Sequence, residues 1–127
     1  MEDTLLETET TAPEDHLEDT AQALGNLLYE HKGADVLVLD LREMDTWTDF
    51  FVIATATSNA HLDGLERHIK EFCRDRGIEI LRRSFKPHAP AMTEDQWRII
   101  DLGSTVIHLM SRQARDFYEL ERLYSKP

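Results

Sequence analysis

The sequence predicts one α/β domain, a small mixed sheet of about five strands flanked by helices. Three observations carry this expectation. Apolar residues recur at helical spacing in three segments and run continuously, strand fashion, between them, giving the order α-β-β-α-β-β-β-α. At 127 residues and 41% hydrophobic content, the chain holds the material for one ordinary core. It contains a single cysteine, Cys73, so no disulfide framework substitutes for that core.

The elements follow in order. Residues 1–12 (MEDTLLETETTA) are acidic and Thr-rich and predict a disordered extension; residues 13–127 form the domain. Pro13 suits the first turn of a helix, and Glu14 and Asp15 complement its positive end. Leu17, Ala21, Leu24 and Leu28 make its apolar stripe, and Gly33 is a natural stop. VLVLDL (Val36–Leu41) and FFVIATA (Phe50–Ala56) lack strict alternation, which predicts strands covered on both faces. Thr57, Ser58 and Asn59 offer oxygens to cap a second helix. That helix carries Leu62, Leu65, Ile69, Phe72 and Cys73 on one face, and Gly77 ends it. Cys73 is then a small buried hydrophobe rather than a reactive thiol. IEILRRS (Ile78–Ser84) is a third strand, and the two prolines of Phe85–Asp95 make a loop. QWRIIDL and TVIHLM are strands joined at Gly103-Ser104, a hairpin signal. Ser111 caps a last helix running to about Tyr124, with Ala114, Phe117, Leu120 and Tyr124 inward.

The net charge of −11 is unevenly spread. Nine acids and no Lys or Arg fall in residues 1–30, leaving 16 acids against 14 bases, about −2, in the rest. The chain as a whole is a poor ligand for nucleic acid by general phosphate attraction, and a basic protein surface suits it better. No apolar run approaches the roughly 20 residues that span a bilayer. The N-terminus has neither a signal peptide nor a transit-peptide composition, which predicts a cytoplasmic protein.

The stretch from Trp97 to Met110 concentrates the chemistry. On the first strand Trp97, Ile99 and Asp101 share a face; on the second, Val106, His108 and Met110 do. Pairing register decides whether His108 joins Trp97 and Asp101. Ser104 belongs to a tight turn and has no base held by a third group, so nucleophilic catalysis is not indicated. Gly103-Ser104 followed by Asp116 loosely mimics a nucleotidyltransferase signature. The second carboxylate of that signature is missing, since Phe117 and Tyr118 follow Asp116. Asp40, Asp45 and Asp49 lie at strand ends and a turn, and His31, His61, His68 and His88 show no ligand spacing. No phosphate-cradling glycine loop is present. A metal-dependent nucleotidyltransferase using Asp101, Asp116 or Asp40 is therefore the competing reading; outside it, no cofactor or metal is expected. Trp47, in a polar turn, and Trp97, opening a strand, both look exposed, with partial burial as the alternative for each; Trp97 fits a core residue and an interface anchor equally.

TDFFVIATATSN (Thr48–Asn59) with His61, VLVLDLRE (Val36–Glu43), WRIIDLGSTVIHLM (Trp97–Met110) and RDFYELERLY (Arg115–Tyr124) resemble the ribosomal silencing factor family, also called Iojap. The resemblance covers roughly residues 14–124. It implies a nucleotidyltransferase-like fold without catalytic carboxylates and a non-enzymatic role. It implies binding to ribosomal protein L-fourteen on the large ribosomal subunit, a steric block to small-subunit joining, and lowered translation when nutrients are short. Organelle relatives assist large-subunit assembly, and homodimers are common. Carried onto this chain, the partner-facing residues are Trp97, Ile99, Asp101 and His108, while Arg115, Tyr118 and Glu121 are structural. Neither membrane attachment nor direct sequence-specific nucleic-acid binding is implied. The chain departs from the family at Ala56, at Tyr124 and in its longer Phe85–Asp95 loop.

Overall fold

A computed structural model describes residues 13–85 and 97–123. The expected N-terminal extension, most of the Phe85–Asp95 loop and Tyr124 thus lie outside the described residues. The elements are α1 (Pro13–Glu30), β1 (Ala34–Asp40), β2 (Phe50–Ala56), α2 (Asn59–Arg76), β3 (Arg82–Phe85), β4 (Trp97–Asp101), β5 (Thr105–Ser111), α3 (Arg112–Tyr118) and α4 (Leu120–Leu123). They form the expected mixed α/β fold. One five-stranded sheet has the order β1-β2-β5-β4-β3. β2 and β5 are parallel at its centre, and every other pair is antiparallel.

Two apolar layers follow from strand alternation. Ile100, Ile107, Leu109, Val52 and Ala54 face α1 and α2, where they meet Leu24, Leu28, Leu62, Leu65 and Ile69. Phe51, Ile53, Val106 and Met110 face the other way and are covered by Ala114 of α3 and Leu120 of α4. β2 is buried at all seven residues because it runs between these layers. β1 was expected to be covered on both faces too; instead its burial alternates. It is the sheet edge, and α1 covers only one side of it. A bulge between Ala34 and Leu37 shifts its register, with Asp35 in the left-handed region at φ 48°.

The caps behave as local chemistry dictates. Ser58 Oγ accepts from His61 N–H at 3.0 Å and Ser111 Oγ from Ala114 N–H at 3.1 Å. Gly77 closes α2 at φ 69°. After α1, the left-handed residue is Lys32 (φ 75°) rather than Gly33. Gly33 is needed for close approach instead: a Cβ there would lie 2.8 Å from the Leu28 carbonyl oxygen.

Two expected elements differ. The third strand starts at Arg82, not Ile78. Its partner β4 ends at Asp101, opposite Arg82; of the preceding residues, Leu81 N–H still bonds the Asp101 carbonyl, whereas Ile78 N–H bonds back to the Cys73 carbonyl of α2. The last helix is not continuous. It breaks at Glu119, which takes the left-handed conformation (φ 46°, ψ 47°). In an unbroken helix Leu120 would point about 120° away from Ala114. The break lets both enter the same layer, while Phe117, expected inward, is 62% exposed.

Candidate functional site

The β4–β5 hairpin builds the face. Its turn is fixed by Gly103 at φ 97° and by Asp101 Oδ1, which accepts the Gly103 N–H at 2.8 Å. The Ser104 carbonyl oxygen accepts from the N–H groups of Asp49 and Phe50, so Ser104 serves the turn. Register pairs Trp97 with Met110, Ile99 with His108 and Asp101 with Val106. All four sequence-predicted residues, Trp97, Ile99, Asp101 and His108, therefore stand on one face, the side of α3 and α4.

Their environments differ. Trp97 and Ile99 are half-buried. Trp97 Nε1–H donates to His108 Nδ1 at 2.9 Å. That donor requires Nδ1 to be the acceptor and puts the imidazole proton on Nε2. His108 is 4% exposed, and burial pushes its pKa down to about 4. Its Nε2 is buried without a hydrogen-bond partner. Asp101 is 7% exposed; besides Gly103, it binds Arg82 at 3.1 Å through Oδ2.

Around this pair runs an aromatic band that single motifs did not reveal. Ring centroids step from Trp47 to Phe51 (6.4 Å), His108 (4.4 Å), Trp97 (5.7 Å), Tyr118 (4.5 Å) and Phe117 (5.0 Å). Its ends, Trp47 at 64% and Phe117 at 62%, are exposed to solvent. Trp47, for which the polar turn left exposure and partial burial open, is exposed. Phe51 could have been found from alternation along FFVIATA, since it shares its side with Ile53. Nothing in the sequence signals the outward turn of Phe117, which follows from the break at Glu119.

The carboxylates do not assemble. Asp40 lies three strands from Asp101, about 14 Å at ordinary strand spacing, and on the opposite face beside α1. Arg42 binds Asp40 through two side-chain bonds of 2.9 and 2.6 Å. Asp116 sits on α3 at the other end of the sheet, 3.5 Å from Arg112. Among the described residues, no three His, Cys, Asp or Glu side chains converge as a metal site requires. His31 and His68 do meet, stacked at 3.6 Å, with His61 Nε2 2.9 Å from the His31 carbonyl oxygen. This packing joins α1 to α2, and sequence spacing missed it because His31 lies in the connection after α1. Cys73 is buried, and desolvation raises its thiol pKa.

Arg115 is 3% exposed. It donates to Thr55 Oγ1 at 2.9 Å and to the Asp35 carbonyl at 2.8 Å. Arg112 binds the Asp35 carboxylate at 2.6 Å and holds that group's pKa below the ordinary carboxylate value. The two arginines thereby pin α3 to the bulge of the edge strand.

Fold and face define a class: a small mixed α/β domain that presents an aromatic sheet face and disperses its strand-end carboxylates. Comparison with known proteins narrows it. The family model described as "Ribosomal silencing factor during starvation" matches residues 14–127. The chain is 36% identical over 104 residues to the Ribosomal silencing factor RsfS of Treponema pallidum, covering 82% of this chain and 88% of that one. It is 30% identical over 117 residues to the Mus musculus protein named for mitochondrial assembly of the ribosomal large subunit, covering 89% of this chain and 49% of that protein. A crystal structure of a Chromobacterium violaceum protein superposes with a TM-score of 0.68 at 25% identity, covering 86% of this chain and 88% of that one. The chain belongs to the ribosomal silencing factor family.

Proposed function

We propose that the chain represses translation under nutrient limitation by docking on ribosomal protein L-fourteen of the large subunit, where it sterically blocks the small subunit. No covalent chemistry is involved, and the working compartment is the cytoplasm. The observation that carries the reading is Trp97: a half-buried indole, held in one orientation by His108 and flanked by Ile99 and an aromatic band with open ends. Interface anchors have this character, because a large side chain ordered before binding loses little entropy on docking. In this arrangement Trp97 and Ile99 make contact, His108 orients the indole from beneath, and Asp101 fixes the hairpin and brings Arg82 to its edge. Family membership supplies the ribosome as the setting.

Titration with purified L-fourteen tests the site. Trp97→Ala is expected to weaken binding by on the order of 2 kcal/mol, roughly thirtyfold. Binding equal to wild type would remove Trp97 from the interface. Sedimentation tests the function: adding the protein to mature ribosomes is expected to shift them toward free subunits, and no shift would overturn the silencing role.

Assistance to large-subunit assembly is the second reading, favoured by the name of the mouse relative. It predicts binding to immature large particles in preference to mature ones.

A further inference from the structure

A second surface lies on the other side of the sheet from Trp97, where α2 borders the β3–β4 edge. The exposed side of α2 is divided by charge. Residues at i, i+3 and i+7, namely Arg67, Lys70 and Arg74, line the side toward β3, while Glu71 and Asp75 lie on the side toward α1. Arg83 of β3 and Arg98 of β4 join the first side, where Glu66 is buried between them. Asp63 binds Arg98 at 2.6 Å, and Lys70 stands 3.9 Å from Glu66. Arg74 pairs with Asp75 at 3.8 Å at the far end of the strip. Five cations thus face three carboxylates, a surplus of two positive charges in a chain whose net charge is −11. Arg67 has no carboxylate partner among the described residues. All of these cations and carboxylates except Arg74 and Asp75 border a cleft of about 370 Å³ whose lining is entirely charged.

We propose that this strip contacts the phosphodiester backbone of ribosomal RNA when the protein sits on the large subunit. The inference rests on the ribosome-binding reading above and adds a second, separate surface to it. Several features point to RNA rather than to a protein partner. The cleft has no aromatic or aliphatic anchor, whereas the centres of protein interfaces are depleted in charge and rich in aromatics. Interfaces with nucleic acid are strongly positive, and most of their contacts go to phosphate. Arg67, Lys70 and Arg74 span about 10 Å of helix, which suits a run of backbone phosphates rather than one anion. Glu66 and Asp63 hold Arg98 at the base of the strip, which orders the cationic surface before binding. The contact is blind to base sequence, since the strip presents charge and no shaped recognition of base edges.

The experiment uses the full chain and the variant Arg67→Gln/Lys70→Gln/Arg74→Gln, which leaves Arg83 and Arg98 to hold Glu66. Binding is measured to purified large ribosomal subunits and, separately, to isolated L-fourteen, across 50 to 200 mM salt. Each phosphate contact contributes about 0.7 to 0.9 to the logarithmic salt slope. Over that range, wild-type affinity for subunits is therefore expected to fall roughly 20- to 40-fold more than that of the variant. Affinity for isolated L-fourteen is expected to be the same for both. Equal salt slopes on subunits would overturn the proposal. So would an equal loss on isolated L-fourteen, which would mean that the strip meets protein. If neither chain binds isolated L-fourteen but the slopes on subunits still differ, the RNA contact stands and the docking partner proposed above is wrong.

Discussion

His108 makes the stability of this protein depend on pH in a calculable way. Folded, its pKa is about 4; unfolded, it returns to the ordinary 6.5. Between those values the unfolded chain binds a proton that the folded chain refuses, so stability is lost as pH falls from 6.5 toward 4 and is level below that. From pH 7.5 to 5 the loss from this group alone is about 2 kcal/mol. The geometry agrees with the direction. Protonation would fill Nδ1, the atom that accepts the Trp97 indole N–H, and would charge a ring packed against Phe51. His108→Gln keeps an amide oxygen for the indole and cannot titrate. Urea unfolding followed by far-ultraviolet circular dichroism at pH 7.5, 6.5, 5.5 and 5.0 should show wild type losing about 2 kcal/mol more than the variant across this window. Asp35 and the other acids titrate in both proteins and cancel. Parallel pH profiles would refute the burial of a neutral His108.

Two more expectations follow from buried groups. Arg115→Met leaves the Asp35 carbonyl and Thr55 hydroxyl without their guanidinium donors; destabilisation of about 2 to 4 kcal/mol is expected in denaturant unfolding, and a change below about 0.5 kcal/mol would refute the clamp. Cys73 should react with an aromatic disulfide reagent only on unfolding, because it is buried and its thiol pKa is raised; fast native labelling would place it elsewhere.

The fold was legible where short-range physics sets the answer. Ser58, Ser111 and Gly77 cap as their side chains dictate, and the apolar run of β2 announced a central strand. What escaped was set by long-range pairing. The start of β3 depends on where β4 ends, and the half-covered state of β1 depends on its being last in the sheet. Glu119 adopts a left-handed turn that no local propensity favours, because Ala114 and Leu120 must enter the same layer. The site divided in the same manner. Alternation put Trp97, Ile99 and Asp101 on one face, but whether His108 joined them waited on register. The basic strip was hidden by summing charge along the chain, since Arg67, Arg83 and Arg98 become neighbours only when β3 and β4 pair beside α2.

The pairing of the carboxylates bears on the choice between chemistry and docking. Each aspartate that the sequence offers to a divalent metal is already bound to an arginine: Asp40 to Arg42, Asp101 to Arg82, and Asp116 to Arg112. Asp101 also gives its second oxygen to the hairpin turn. A metal at any of these sites would have to displace a guanidinium, and at Asp101 a backbone hydrogen bond as well. Nor would these aspartates meet on one cation, because Asp40 and Asp101 are three strands apart on opposite faces and Asp116 lies at the other end of the sheet. Metal-dependent phosphoryl chemistry needs at least two acids on one cation. A docking face needs the reverse: carboxylates spent on holding the scaffold rigid, so that one oriented indole meets its partner already in place. In the proposed docking role the β4–β5 hairpin supplies this second arrangement, with Asp101 locking the turn and His108 holding Trp97.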